Sequence, residues 1–73
     1  MKIENLKRAN ELASELKELE SASRILLHGG IIRLVERNDA SSFAEINHSG
    51  TKGHILSCIQ GRIKAINKEV EKL

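Results

Sequence analysis

The sequence contains few of the residues that break helices, cross-link chains or stack on bases. It has no proline, one cysteine and one aromatic residue among 73. The single cysteine, Cys58, excludes an internal disulfide, and the absence of a Cys-x-x-Cys pair gives no sign of a structural metal. The single aromatic residue, Phe43, offers no stacking platform for single-stranded nucleic acid. The composition therefore predicts a helix-rich binding domain with no metal and no cofactor.

Long apolar runs and a strong charge of one sign are also missing. No run of about 18 apolar residues is present, and the first five residues do not resemble a signal peptide, so we expect a cytoplasmic protein without a membrane partner. Twelve Lys and Arg against ten Asp and Glu give a net charge of +2, which does not indicate nucleic acid. DNA association is kept as a third hypothesis, which predicts a steep loss of affinity with salt.

The most regular pattern is an apolar stripe between residues 51 and 73. Its six members recur at alternating steps of three and four: Leu56, Ile59, Ile63, Ile66, Val70 and Leu73. This spacing predicts a helix of coiled-coil type, in which Leu56, Ile63 and Val70 are a positions and the others are d positions. A chain of this size buries only about 60% of its unfolded surface, so we predict a homo-oligomer with the stripe as its interface. The stripe packs on the chain's own first helix, on a second copy, or on both.

The remaining patterns predict an α+β fold of helix, three-strand antiparallel meander and helix. Apolar residues at helical spacing predict a first helix over about residues 2–22. Two apolar runs around Gly29-Gly30 predict a hairpin with strands at about 24–28 and 31–37, and alternation predicts a third strand at 42–47. The final helix covers 51–73. The whole chain is expected to form one domain.

The predicted meander implies a definite pairing of its strands, and one alternative structure competes with its first strand. It places Ala44 and Ile46 on the same face as Ile32 and Leu34, with Glu45 opposite Arg33 in the case of a three-residue loop. In the alternative interpretation, the first helix continues to His28 and Gly29 caps its C-terminus.

The segment from His48 to His54 is the strongest candidate for a binding site. It contains glycines, hydroxyls and a lysine but no acid, and it leads into the last helix, where Ser49 or Thr51 is the predicted N-cap. This is the outline of a phosphate cradle. The predicted ligand-binding residues are Ser49, Gly50, Thr51, Lys52, Gly53 and His54, together with Arg24 and Arg33. The alternatives are an ordinary capped connection for the segment and arginines that discourage edge pairing of strands.

Other arrangements of reactive residues do not match known chemistry. The order Gly-Thr-Lys-Gly is not the ending of a P-loop, which argues against nucleotide hydrolysis. His54 and Cys58 lie one helical turn apart, but no third residue orients them as a catalytic pair. The histidines and Cys58 also match no zinc-ligand spacing. We therefore expect a protein that is not an enzyme.

The small size, the lack of proline, the lone aromatic residue and the order of helix, strands and helix together resemble the small accessory proteins of tailed phages. The resemblance implies a protein that acts in the host cytoplasm by stoichiometric binding, in host takeover or against host defence. The predicted function is capture of an anionic ligand, most simply a nucleotide or cyclic nucleotide signal, by an oligomer. The alternative is an adaptor or inhibitor that binds a host protein.

Overall fold

The computed structural model describes residues 2–73 and has an α+β fold. A hairpin lies between two helices in the chain, and the order of elements is α1 (Ile3–Leu27), β1 (Ile32–Glu36), β2 (Asp39–Ile46) and α2 (Ser49–Glu71). The strands form a two-stranded antiparallel sheet, so the α+β class is confirmed and the three-stranded meander is not seen in this part of the chain. None of the helices within residues 2–73 is long and apolar enough to cross a membrane.

The predicted strand at residues 24–28 is wrong, because α1 continues through Leu27. The rival interpretation is correct: the helix ends at His28, and Gly29 adopts a φ of 82°. The Gly29 N–H donates to the Leu26 carbonyl and the Gly30 N–H donates to the Ile25 carbonyl, at 3.2 and 2.9 Å. These two bonds are the Schellman motif, which satisfies the last carbonyls of a helix when glycine follows it.

The register of the remaining hairpin is confirmed. Ile32 pairs with Ile46, Arg33 with Glu45 and Leu34 with Ala44. The pairing then shifts at a bulge between Val35 and Glu36, and β2 begins at Asp39 rather than at residue 42. The hairpin meets the helices at its base, where Ile32 and Ile46 are half-buried, while both faces of its outer end stay exposed.

The core lies between α1 and α2, and its centre is formed by two fully buried side chains, Leu12 and Ile66. Two ion pairs between the helices, one on each side of these residues along the helix axes, show how far along each helix they lie. Leu12 lies between Arg8 and Glu15 on α1, and Ile66 lies between the partners of those two residues on α2. The two buried side chains are therefore at the same height along the antiparallel pair.

The apolar stripe of α2 is divided between two environments. Ile59, Ile66 and Leu73 are buried or half-buried on the side that faces α1. The other three members lie about 40–80° around the helix from this line; Leu56 and Ile63 are half-buried, and Val70 is 44% exposed. The d positions of the stripe thus pack within the chain, and the a positions lie at the edge of that contact.

Two ion pairs join the helices along one flank. Arg62 Nη2 donates to Glu15 Oε1 at 2.9 Å, and Arg8 Nη2 donates to Glu69 Oε2 at 3.1 Å. Each arginine also donates its Nε–H to the same carboxylate, so both pairs are bidentate. These hydrogen bonds lower the pKa of the Glu15 and Glu69 carboxyl groups. Arg8, Glu15, Arg62 and Glu69 are called the charged flank below.

The charged flank predicts a modest loss of stability in acid. A carboxyl group whose pKa is lowered by folding stabilises the fold above its unfolded pKa, near 4.5, and this contribution disappears as the pH falls through the folded pKa. We expect the melting temperature to fall below pH 4.5 by more in the wild type than in a Glu15→Gln/Glu69→Gln double variant. The effect is small because all four side chains are solvated. Thermal unfolding followed by circular dichroism at pH 6, 4.5 and 3 measures it.

A Glu18→Gln/Glu71→Gln double variant is the control for this comparison, since it removes one exposed carboxylate from each of the same helices. It should keep the acid sensitivity of the wild type. Equal acid sensitivity in all three proteins would show that the charged flank does not couple folding to pH.

Candidate ligand-binding site

The entry of α2 has the electrostatic character that the sequence predicts, although its local structure differs. The helix begins at Ser49, so residues 49–53 form its first turns and not a loop. The N-cap is His48 rather than Ser49 or Thr51, and among the described residues its imidazole makes no capping hydrogen bond. No acidic residue occurs in the first turn. The positive end of the helix dipole and its unpaired N–H groups are therefore not compensated by a carboxylate of that turn.

Lys52 fastens the start of α2 to the turn that follows α1. Its Nζ donates to the Gly30 carbonyl at 2.9 Å and to Asn47 Oδ1 at 3.3 Å, and the side chain is half-buried. An ammonium group carries three protons, and these two bonds use two of them. Lys52 is thus a structural residue that has one further donor available beside the site.

A cavity of about 270 Å³ opens beside this lysine, between the end of α1 and the start of α2. Its lining residues come from both helices and the turn: Leu26, Leu27, Gly29, Ser49, Lys52, Gly53 and Leu56. None of these described lining residues is acidic. The lining therefore combines a hydroxyl, a lysine and the first turns of α2 with three leucine side chains, two from α1 and one from α2. These leucines are called the apolar wall below.

The structure gathers three of the eight predicted binding residues at this cavity, Ser49, Lys52 and Gly53. Gly50, Thr51 and His54 belong to the same turns but do not line it, because they project from other sides of α2. Arg33 lies on β1, where its guanidinium stacks over the Phe43 ring at 4.2 Å from the ring centre. Arg24 does not lie on the sheet with Arg33, because the predicted strand that contained it is the last turn of α1.

Leu26, Leu27, Gly29 and Leu56 were not predicted as site residues. Residues 26 and 27 were assigned to a strand and Gly29 to a hairpin turn, which would place them away from the start of α2. The signal that could have found them is the helical spacing from Leu19 through Leu26, followed by a glycine. That pattern ends α1 beside the first turn of α2 once the helices pack antiparallel.

No protein-family model, no curated protein and no solved structure matches this chain. The chemistry of the cavity is an acid-free helix N-terminus, one ammonium group and an apolar wall.

Proposed function

We propose that the chain is a small binding protein that captures an anionic ligand in the cavity at the entry of α2. The observation that carries the proposal is that a helix N-terminus with no side-chain cap and no acidic residue in its first turn lies beside a cavity lined by Ser49, Lys52 and Gly53. Most helices supply Asp or Glu in this first turn. Here an external anion would take the place of that missing carboxylate.

Three groups would hold the anion. The N–H groups of residues 49–51 have no acceptor within the helix, since the Lys52 N–H is the first that donates to an intrahelical carbonyl, that of His48 at 2.9 Å. Of these three residues, Ser49 lines the cavity. The Ser49 hydroxyl lines the cavity, and the Lys52 ammonium has one proton that is not used by Gly30 or Asn47. A phosphate group offers three acceptor oxygens, which matches this set of donors.

The apolar wall favours a ligand with more than a phosphate group. Leu26, Leu27 and Leu56 form it. The cavity volume of about 270 Å³ lies just below the range of roughly 300–1,000 Å³ that encloses small molecules. It would therefore enclose the phosphate and part of the organic group of a nucleotide, and leave the rest in solvent. A nucleotide or cyclic nucleotide is accordingly the proposed ligand.

Replacement of Ser49 by aspartate tests this site with opposite effects on binding and folding. A carboxylate at this position fills the acid-free turn and stabilises α2 by up to about 1 kcal/mol, while it repels an anion. We expect Ser49→Asp to weaken binding of AMP and of a cyclic dinucleotide at least tenfold and to leave the melting temperature unchanged or raised. Isothermal titration calorimetry with both nucleotides and with inorganic phosphate measures the affinity.

The matched control is Ser57→Asp, which adds the same charge to an exposed position two turns further along α2. Its affinity should equal that of the wild type. If the wild type gives no heat with phosphate or with either nucleotide, the proposal is wrong. Equal losses in Ser49→Asp and Ser57→Asp would reduce the effect to net charge alone.

A second candidate, an adaptor or inhibitor that binds another protein, is favoured by the outer end of the hairpin. Leu34, Val35 and Phe43 are each at least half exposed there, on two strands that contact the helices only at their base. An isolated two-stranded hairpin is marginally stable in water, so a partner would stabilise it. A pull-down that recovers one stoichiometric protein, with equal yield from Ser49→Asp, would favour this candidate over ligand capture.

A further inference from the structure

The single chain exposes far more surface than a compact protein of its mass. Its accessible surface is 5917 Å², whereas a compact monomer of 8.1 kDa exposes about 4,500 Å², an excess of about 1,400 Å². Its radius of gyration is 15.1 Å, against about 11 Å for a compact domain of this length. Standard interfaces bury about 800 Å² on each partner, so the excess is large enough for one complete interface.

Part of this excess lies on one flank of the helical pair. Arg62 and Ile63 are consecutive in sequence, as are Glu69 and Val70. Consecutive residues lie about 100° apart around a helix, so the two members of each pair lie on opposite sides of the line of α2 residues that faces α1. Arg8 and Ala9 have the same relation on α1. Because the ion pairs fix the charged residues of both helices on one flank, the apolar neighbours share the other. We name this second surface the apolar flank, formed by Leu6, Ala9, Ala13, Leu56, Ile63 and Val70.

The apolar flank is partly open in the single chain. Leu6 is 53% exposed and Val70 is 44% exposed, and Ala13 is also exposed, whereas Ala9, Leu56 and Ile63 are half-buried. An open groove of about 620 Å³ along α2 borders it at Ile63. The small side chains of Ala9 and Ala13 allow a helix of another molecule to approach closely.

We propose that a second copy of this chain covers the apolar flank, so that two helical pairs form a four-helix bundle. Leu56, Ile63 and Val70 are the a positions of the heptad pattern, and the d positions of the same pattern are already used within the chain. A surface of this kind fits helices that carry the same seven-residue repeat, as those of another copy do. The α1 residues at its border, Lys17, Glu20 and Arg24, carry both signs of charge, so two copies do not oppose each other with like charge alone.

Replacement of Ala13 by arginine tests the bundle. The side chain is exposed in the single chain, and alanine and arginine have nearly equal helix propensity, so the substitution should not disturb an isolated copy. We expect the wild type to have twice the 8.1 kDa mass of one chain, or an even multiple of it, by light scattering and native mass spectrometry. Ala13→Arg should raise the dissociation constant at least a hundredfold, so that single chains predominate at micromolar concentration. Val70→Lys, on the other helix, should act in the same direction.

The matched control is Ala65→Arg, which makes the same change at an exposed position of α2 outside the apolar flank. It should keep the mass of the wild type. A wild type that is still a single chain at 200 micromolar overturns the proposal. A standard interface has a dissociation constant well below roughly 10⁻⁴ M and would hold two copies together at that concentration. An assembly that Ala13→Arg and Val70→Lys leave intact also overturns the proposal.

Loss of helix in Ala13→Arg but not in Ala65→Arg supports the proposal, because Ala13 is exposed in the single chain and an arginine there would not disturb its fold. Nucleotide affinity is measured separately with Ser49→Asp, so either proposal can fail alone.

Discussion

The Ile66→Ala variant should lose a large part, about half, of the stability of the protein. Ile66 is fully buried between the helices, and removal of three carbons from such a site costs about 2–5 kcal/mol through lost burial and the cavity that remains. A chain of this length has roughly 4–11 kcal/mol of stability in total. Few other buried side chains are available to compensate, since Leu12 is the only other fully buried residue among residues 2–73. We expect the melting temperature to fall by more than about 10 °C.

The matched control for this variant is Ile3→Ala. It removes the same atoms from a side chain that is 86% exposed, so its melting temperature should change by no more than a few degrees. Both variants and the wild type are compared by thermal unfolding at one protein concentration, because assembly would shift all three. Similar losses in Ile3→Ala and Ile66→Ala would mean that the contact between α1 and α2 is not the core of the protein.

The features that sequence alone predicted correctly are those set by a long or strict periodicity. The six-member stripe predicted α2, because alternation of three and four residues over 18 positions has no strand interpretation. The hairpin register was also predictable. A shift by one residue would move Ile32 and Ile46 from the half-buried face to the outer face, so the alternation of apolar residues specifies which residues share a face. The pairing of Arg33 with Glu45 followed only for a three-residue loop.

The segment around residues 24–28 shows where periodicity fails. Its apolar residues fit a short strand and also continue the apolar arc of α1, and Gly29-Gly30 fits both a hairpin turn and a helix end. Packing decides between them. When α1 continues to Leu27, Ile25 and Leu26 line one small apolar cavity together with Ile59 of α2. That contact joins residues more than 30 positions apart, so no local window of the sequence contains it.

The candidate site was predictable in its charge but not in its walls. The lack of acid at the start of α2 can be read from the sequence. The bond from Lys52 to the Gly30 carbonyl joins residues 22 positions apart and depends on where α1 ends. The correct end of α1 therefore determines both the role of this lysine and the leucine wall of the cavity.

The same junction gives the second large expected effect, in the Gly30→Ala variant. A Cβ atom at this position would lie 2.7 Å from the Ile25 carbonyl oxygen and in closer conflict with the Ile25 side chain. The carbonyl cannot move away freely, because it accepts the Gly30 N–H in the Schellman motif. A shift of Gly30 would also disturb the bond that its own carbonyl accepts from Lys52. We expect a loss of about 1–3 kcal/mol, the usual cost of forcing an extra methyl group into a filled site.

Gly61→Ala is the matched control and should have the opposite sign. A Cβ atom there meets nothing within 4 Å, and alanine within a helix is more favourable than glycine by about 0.5–1 kcal/mol. Chemical unfolding in urea measures the free energy of unfolding of Gly30→Ala, of Gly61→Ala and of the wild type, so that the same substitution is compared at two positions. Because Lys52 connects this junction to the cavity, Gly30→Ala should also weaken nucleotide binding, whereas Gly61→Ala should not. A Gly30→Ala protein as stable as the wild type would show that the turn after α1 is looser than the Schellman geometry requires, and that Lys52 is not held by it.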